Sequence, residues 1–450
     1  MPGGTITRIV FHRLGAAITL ALILATADHA EAQLHQADGV HLGVAACNGS
    51  NCHGAEQRRS GSSVAQNEYL IWSRSDKHHR AYAVLLEERA MQIARKLGLA
   101  SAATADMCLG CHTDPVPPAE RGPRFQVSDG VGCEACHGGA STWLSVHISG
   151  ARHSENLAAG LYPTERPAAR AEKCLSCHFG DPADDNRFAT HRIMGAGHPR
   201  MGFELDTYTA VEPAHFIVDQ RYVERKGPVD DMQIWAVGQA VDLVKHMDAL
   251  LEPKRAPKGL FPELVLFDCQ SCHHPYNSQP GDGYGAAGSG PGSLKLYDAN
   301  AVMLRAIAAQ LAPAAAKALI SRIPALQTAI SESWGAVQGE ARDIRSLANG
   351  LVPTLTTHDF SRSDARALTR NVISLGLAGD GTQYSVAEQA TMALASIASA
   401  LKSSGGFTEG QIDAMTNAMN GIYSSFAAGE TYRYQPFVNA LREFQRTVPR

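Results

Sequence analysis

From residue 296 onward, apolar positions recur at helical spacing between short polar or Gly-containing breaks. The pattern predicts about five helices, at roughly 296–318, 323–349, 362–377, 386–402 and 409–427, with a short one near 434–446. Ser385-Val-Ala-Glu388 and Thr408-Glu-Gly-Gln411 read as capping boxes, each opening an apolar run. A further helical stretch runs from about Asp230 to Leu251, where Ile234, Val237, Val241, Val244 and Leu250 fall roughly on one face and Pro253 closes it. Residues 281–294 are rich in Gly, Ser and Pro and read as a flexible linker. They divide the chain into residues 33–280 and a bundle-like helical domain, 295–450.

The N-terminus has a different pattern. Arg8 and Arg13 precede an apolar run from Leu14 to Ala27, and Ala30-Glu31-Ala32 is a small-x-small cleavage site. Residues 1–32 therefore read as a secretory signal, too short in its apolar part to span a bilayer comfortably. No other apolar stretch approaches the length of a span, so the mature chain is expected to carry none. Export leads to the periplasm, or to the outside of the cell, where c-type haem is attached and disulfides can form.

Composition changes this picture in two ways. The chain has 450 residues and a formal net charge of −4, which excludes a strongly basic nucleic-acid binder. It also holds 10 Cys and 19 His, and their spacing carries the chemistry. Four Cys pairs are C-x-x-C-H: Cys108/Cys111/His112, Cys133/Cys136/His137, Cys174/Cys177/His178 and Cys269/Cys272/His273. A fifth, Cys47/Cys52/His53, has four residues between its cysteines. In this motif two thiols add across the vinyl groups of one haem, and the following His becomes the proximal iron ligand. Zinc sites and redox dithiols do not require a His after the second Cys. Ten Cys are also sparse for a disulfide framework in a chain of this length. Given the His content, five followers from five by chance is about one in ten million. Five haems are expected, or four if Cys47 and Cys52 form a disulfide instead.

Twelve further His remain beyond the leader as candidates for the opposite haem faces: His35, His41, His78, His79, His147, His153, His191, His198, His215, His246, His274 and His358. Met107 and Met194 could serve in principle, but the surplus of His favours His. His191 and His198 are seven residues apart and would share a face of a helix. His274, fused to His273, cannot reach the same iron. His358 lies in the helical region and reads as a surface or core residue.

Residues from about 41 to 200 resemble the cytochrome c-554 family, the tetrahaem electron acceptor of hydroxylamine oxidoreductase. The likeness rests on Trp72-Ser-Arg-Ser-Asp-Lys-His78 and Cys108-Leu-Gly-Cys-His112, then Asp129-Gly-Val-Gly-Cys-Glu-Ala-Cys-His-Gly-Gly139 with His147 after it, and Cys174-Leu-Ser-Cys-His178. The resemblance implies that His147 caps the haem of His53 and His78 that of His137. It also implies that a downstream His, with His198 ahead of His191, caps the haem of His178, and that the haem of His112 is five-coordinate. The four-residue spacing, the added site at 269–273 and the C-terminal region depart from the family. His215 and His246 are the guesses for the fifth haem, with His41 as a spare.

The fold class that follows is mainly α: a haem-cored domain of short helices and loops, then a helical bundle-like domain. The expected function is relay of single electrons between redox partner proteins, without an enzymatic step. The alternative is an enzyme acting on nitric oxide, hydroxylamine or nitrite at an open haem. No C-x-x-C-K motif is present, which argues against the ammonia-forming nitrite reductase type. Self-association through the C-terminal helices is a further expectation.

Overall fold

The computed structural model describes residues 39–61, 64–273, 294–405, 407–426 and 432–448. The leader and, apart from Leu294, the linker read in the sequence lie outside them, as do His35 and His274. The chain is mainly helical, and among the described residues β-structure is limited to isolated bridges such as His41–Arg121.

The first part is a string of short helices: α1 (Glu68–Ser75), α2 (Glu88–Leu97), α3 (Asp106–His112), α4 (Cys133–His137), α5 (Leu144–Ile148) and α6 (His153–Ala158). Then come α7 (Pro167–His178), α8 (His191–Gly195), α9 (Leu205–Val211) and α10 (Gln220–Lys226). Their apolar packing is thin. Among the described residues up to 166, the buried apolar clusters are a group of four around Leu85 and Ala94, and a contact of Leu97 with Ile193 and Ala196.

The second part begins with α11 (Asp231–Leu251), capped by the Asp230 carboxylate, which accepts from the Met232 and Gln233 amides. The face of Ile234, Val237, Val241, Val244 and Leu250 is buried, but so are Trp235, Ala236, Ala240 and Leu243. A helix apolar on all sides belongs inside a bundle. Against α11 pack α7, α9, α12 (Ala299–Leu311), α14 (Trp334–Thr357) and α16 (Tyr384–Ser403), while α13 (Pro313–Glu332) packs on α12 and α14, α15 (Arg362–Leu377) on α12 and α16, α17 (Glu409–Ser424) on α16, and α18 (Tyr434–Thr447) on α15 and α17. One continuous core joins Ala171 and Leu175 of α7 to Phe444 of α18.

Three boundaries differ from the sequence reading, each for a local reason. The expected helix 296–318 breaks at Ala312 (φ −147°, ψ 70°), because the residue before Pro313 is driven out of the helical region. The expected helix 323–349 is cut at Ser333, whose hydroxyl caps α14 by accepting from the Ala336 amide. The box read at Ser385 does not form: α16 starts at Tyr384, and the Ser385 hydroxyl donates to Asp268 instead. The box at Thr408 and Gln411 does form.

Candidate haem centres

Helical geometry explains how each C-x-x-C-H stretch presents its groups. Cys133–His137 is itself a one-turn helix, while Cys108–His112 and Cys174–His178 are the last turns of α3 and α7. Cysteines three apart and the His four after the first Cys share one helix face. At 269–273 a tighter turn does the same work, and the His273 amide donates to Cys269 O at 2.8 Å. The 47–53 loop reaches an equivalent closure by another route. Its two extra residues are taken up in a turn, Cys52 N to Gly49 O, so that His53 N donates to Cys47 O at 3.1 Å. Gly54 is needed just after it, because a Cβ there would collide with Asn48 O.

Each of these five His faces one other His ring. Centroid separations are 6.0 Å for His53–His147, 6.2 Å for His78–His178, 6.2 Å for His112–His198, 6.3 Å for His137–His215 and 6.1 Å for His191–His273. The ring planes are 19° and 29° apart in the His53 and His273 pairs and 87–89° apart in the other three. These distances exceed ring contact and vary little. Two metal–imidazole bonds of about 2 Å, with the ring radii added, separate such centroids by about 6 Å. The donor set and its spacing thus fit iron held between two imidazoles.

The second nitrogen of several rings is engaged elsewhere, which leaves the first for a metal. Nδ1 of His53 donates to Glu68 Oε2 at 3.0 Å and Nδ1 of His78 to Asp76 Oδ1 at 3.0 Å. Nδ1 of His112 donates to Ala81 O at 2.9 Å and that of His198 to Pro199 O at 2.8 Å. Burial holds His137 neutral, with its pKa pushed down to about 3, and lowers that of His178 to about 4. Burial also lowers His147 and His198, whereas the bound carboxylates raise His53 and His78. Aromatic rings fix the orientation of others: Trp143 packs edge-on to His147, and Phe203 and Tyr208 flank His178.

The pairing differs from the one inferred by resemblance at all but one site. His147 stands opposite His53, the partner implied. His78 faces His178 rather than His137, and His137 is met by His215, which had been a guess for the fifth site. His198 faces His112, so that ring is not left open. His191 meets His273, and His246, the other guess, packs on Tyr297 and Phe179 and bonds Asp242. The remaining candidates are engaged elsewhere: His41 with Asp114, His153 with Glu165, His358 with Asp364 and His79 against Trp72. Met107 packs against the Leu97–Ile193–Ala196 contact. The sequence signal was blind to these pairs because partners such as His137 and His215 are joined only by tertiary folding.

The attachment cysteines also adjoin one another. Cys47 and Cys133 lie close enough for each thiol to perturb the other, as do Cys111 and Cys177, and Cys136 lies close enough to Cys174 to feel its charge. The one-turn helix α8 and the residues just after it carry both His191 and His198, which places the 269–273 site beside that of His112.

Residues 46–138 match the family model of cytochrome c554 and c-prime. The match supports a haem c cytochrome, an electron-transfer protein with covalently bound haem, and it covers the first three Cys–Cys–His sites. No curated protein and no solved structure matches the chain. Among the described residues no helix is long and apolar enough to cross a membrane.

Proposed function

We propose that the protein relays single electrons between redox partner proteins in the periplasm through five haems, each bound by one Cys pair and one His pair. Cys47, Cys52, Cys108, Cys111, Cys133, Cys136, Cys174, Cys177, Cys269 and Cys272 would form the thioether bonds. The axial pairs would be His53/His147, His112/His198, His137/His215, His178/His78 and His273/His191. The observation that carries this reading is the set of five ring pairs at 6.0–6.3 Å, one for each Cys–Cys–His site.

Bound haem supplies a one-electron change at iron. The chain's part is to fix two imidazoles per site, bury them and set the sites side by side. The closeness of these cysteines, with His191 and His198 on one short segment, suggests the order His53, His137, His178, His112, His273, with the first and last as ends. Both ends have exposed attachment cysteines, Cys52 at one and Cys269 and Cys272 at the other, where a partner protein could approach. The C-terminal helices would act as a scaffold for the later sites. Leu175, inside the Cys174–His178 motif, is fully buried in their core, and Ser385 holds Asp268 beside Cys269. The enzyme reading needs an iron with a free face, and the His198 ring opposite His112 speaks against it.

A pyridine-haemochrome assay and the electronic spectrum test the proposal together. Five haems per chain, all low-spin and unchanged by nitric oxide, are expected. Four haems, or a high-spin component that shifts with nitric oxide, would overturn the relay as stated. His198→Ala should create such a component in one haem of the five.

A further inference from the structure

The five His pairs are not supported alike. His53 and His78 give their Nδ1 protons to carboxylates, whereas His112 and His198, which face one another, both give theirs to backbone carbonyls. We propose that Glu68 and Asp76 are positioning residues that set redox potential, making the His53/His147 and His78/His178 irons harder to reduce than the His112/His198 iron. This rests on the axial assignment above.

The carboxylates are built into place rather than drifting near the rings. The other oxygen of Glu68 accepts the Gln66 amide at 3.1 Å, so the group spans the start of α1 and the His53 ring. Asp76 is buried, and the oxygen that takes His78 Nδ1 also takes the His78 amide at 2.9 Å. A second carboxylate, Glu212, comes within 4.8 Å of the same cluster. An imidazole whose far N–H is shared with an anion is a stronger electron donor through its other nitrogen. Stronger donation stabilises ferric over ferrous iron and lowers the potential. A neutral carbonyl pulls the proton less and leaves the imidazole a weaker donor. Asp76 also caps the turn at residues 77–80. A cap alone would not move a potential.

The ring planes supply the means of telling the irons apart. Near-parallel axial planes, 19° at His53/His147, give a rhombic low-spin electron paramagnetic resonance signal. Near-perpendicular planes, 88° at His78/His178 and 87° at His112/His198, give a large-g, strongly anisotropic one. Redox titration of the full-length holoprotein monitored by that resonance therefore follows each class separately. Glu68→Gln keeps size and removes charge. It should raise the midpoint of one rhombic component and leave the large-g components where they were. Asp76→Asn keeps an oxygen for the cap and should raise one large-g component only. Unmoved midpoints in both variants, with five low-spin haems retained, would overturn the proposal while leaving the relay standing. A wild-type count below five low-spin haems would overturn the axial assignment itself. If Asp76→Asn does not hold its haems, Glu68→Gln decides the matter, since Glu68 is only partly buried whereas Asp76 is buried.

Discussion

Residues 39–166, short helices joined by loops, and residues 231–447, mostly long helices, are held together by different means. The later region buries Trp235, Met247, Met303, Leu304, Ile307, Phe437 and Phe444 almost completely in one core. The earlier one buries mostly single small side chains, and its clusters involve a handful of residues. A stretch of that length cannot offset its conformational entropy with so little apolar burial. What it has instead is a set of His rings spaced for metal and Cys pairs turned toward them. One region has a core made of side chains, and the other lacks one unless a large apolar cofactor supplies it. The seam between them is α7, whose last turn carries Cys174, Cys177 and His178 while Ala171 and Leu175 sit in the side-chain core.

The largest effect should come from withholding haem. Expressed in a host that cannot attach it, the full chain should keep the far-ultraviolet dichroism of α11 to α18 and lose much of the rest. Limited proteolysis should digest residues 39–166 and leave a resistant fragment that starts near 167 and keeps α7 in the core. A fully resistant apoprotein would break the comparison from one side, and complete digestion would break it from the other. Next in size is Leu175→Ala, which opens a cavity at the seam. Burial of this kind is worth about 2–5 kcal/mol. Thermal unfolding of the bundle and retention of the haem at His178 should both suffer. Loss confined to one of them would mean that the seam does not couple the regions.

How much of this was legible in the sequence follows the same division. The bundle was readable because its signals are local: apolar spacing along α11, and Thr408 with Gln411 at the start of α17. Its errors were local too, since Pro313 and Ser333 cut the helices that periodicity alone had run together. The cysteines and the His after each were readable because the attachment chemistry fixes their spacing. The opposing His were not. His137 and His215, or His191 and His273, are brought together by the path of the chain between them, and no spacing rule links them. The resemblance placed His78 with His137, where the folded chain sets it against His178. Ser385 was misread for a similar reason: a distant carboxylate, Asp268, outcompeted the local cap.

A smaller effect tests the seam by pH. Asp206, on α9 against α16, is buried beside Glu204, and burial raises its pKa to about 7 from 3.8. The folded state thus binds its proton more tightly than the unfolded one. The associated stability is complete below pH 3.8 and is lost as pH rises toward 7. Asp206→Asn removes that titration. Its melting temperature should match the parent near pH 4 and exceed it above pH 7, by on the order of 1–2 kcal/mol of stability. A constant difference at both pH values would show that the gain, if any, comes from packing.

The smallest effect should lie wholly on the bundle side. Thr408 accepts the Gln411 amide, and the Gln411 side chain accepts the Thr408 amide at 2.9 Å, so each satisfies a donor that the start of α17 leaves unpaired. Thr408→Ala removes one of these bonds at an exposed position and should cost about 1 kcal/mol. α17 packs mainly on α18 and α16. The variant should therefore melt slightly earlier by dichroism at helical wavelengths, with five haems and unaltered midpoints. A shift in any midpoint would mean that strain in the outer helices reaches the haem sites, and the division between a side-chain core and a cofactor core would then be too sharp.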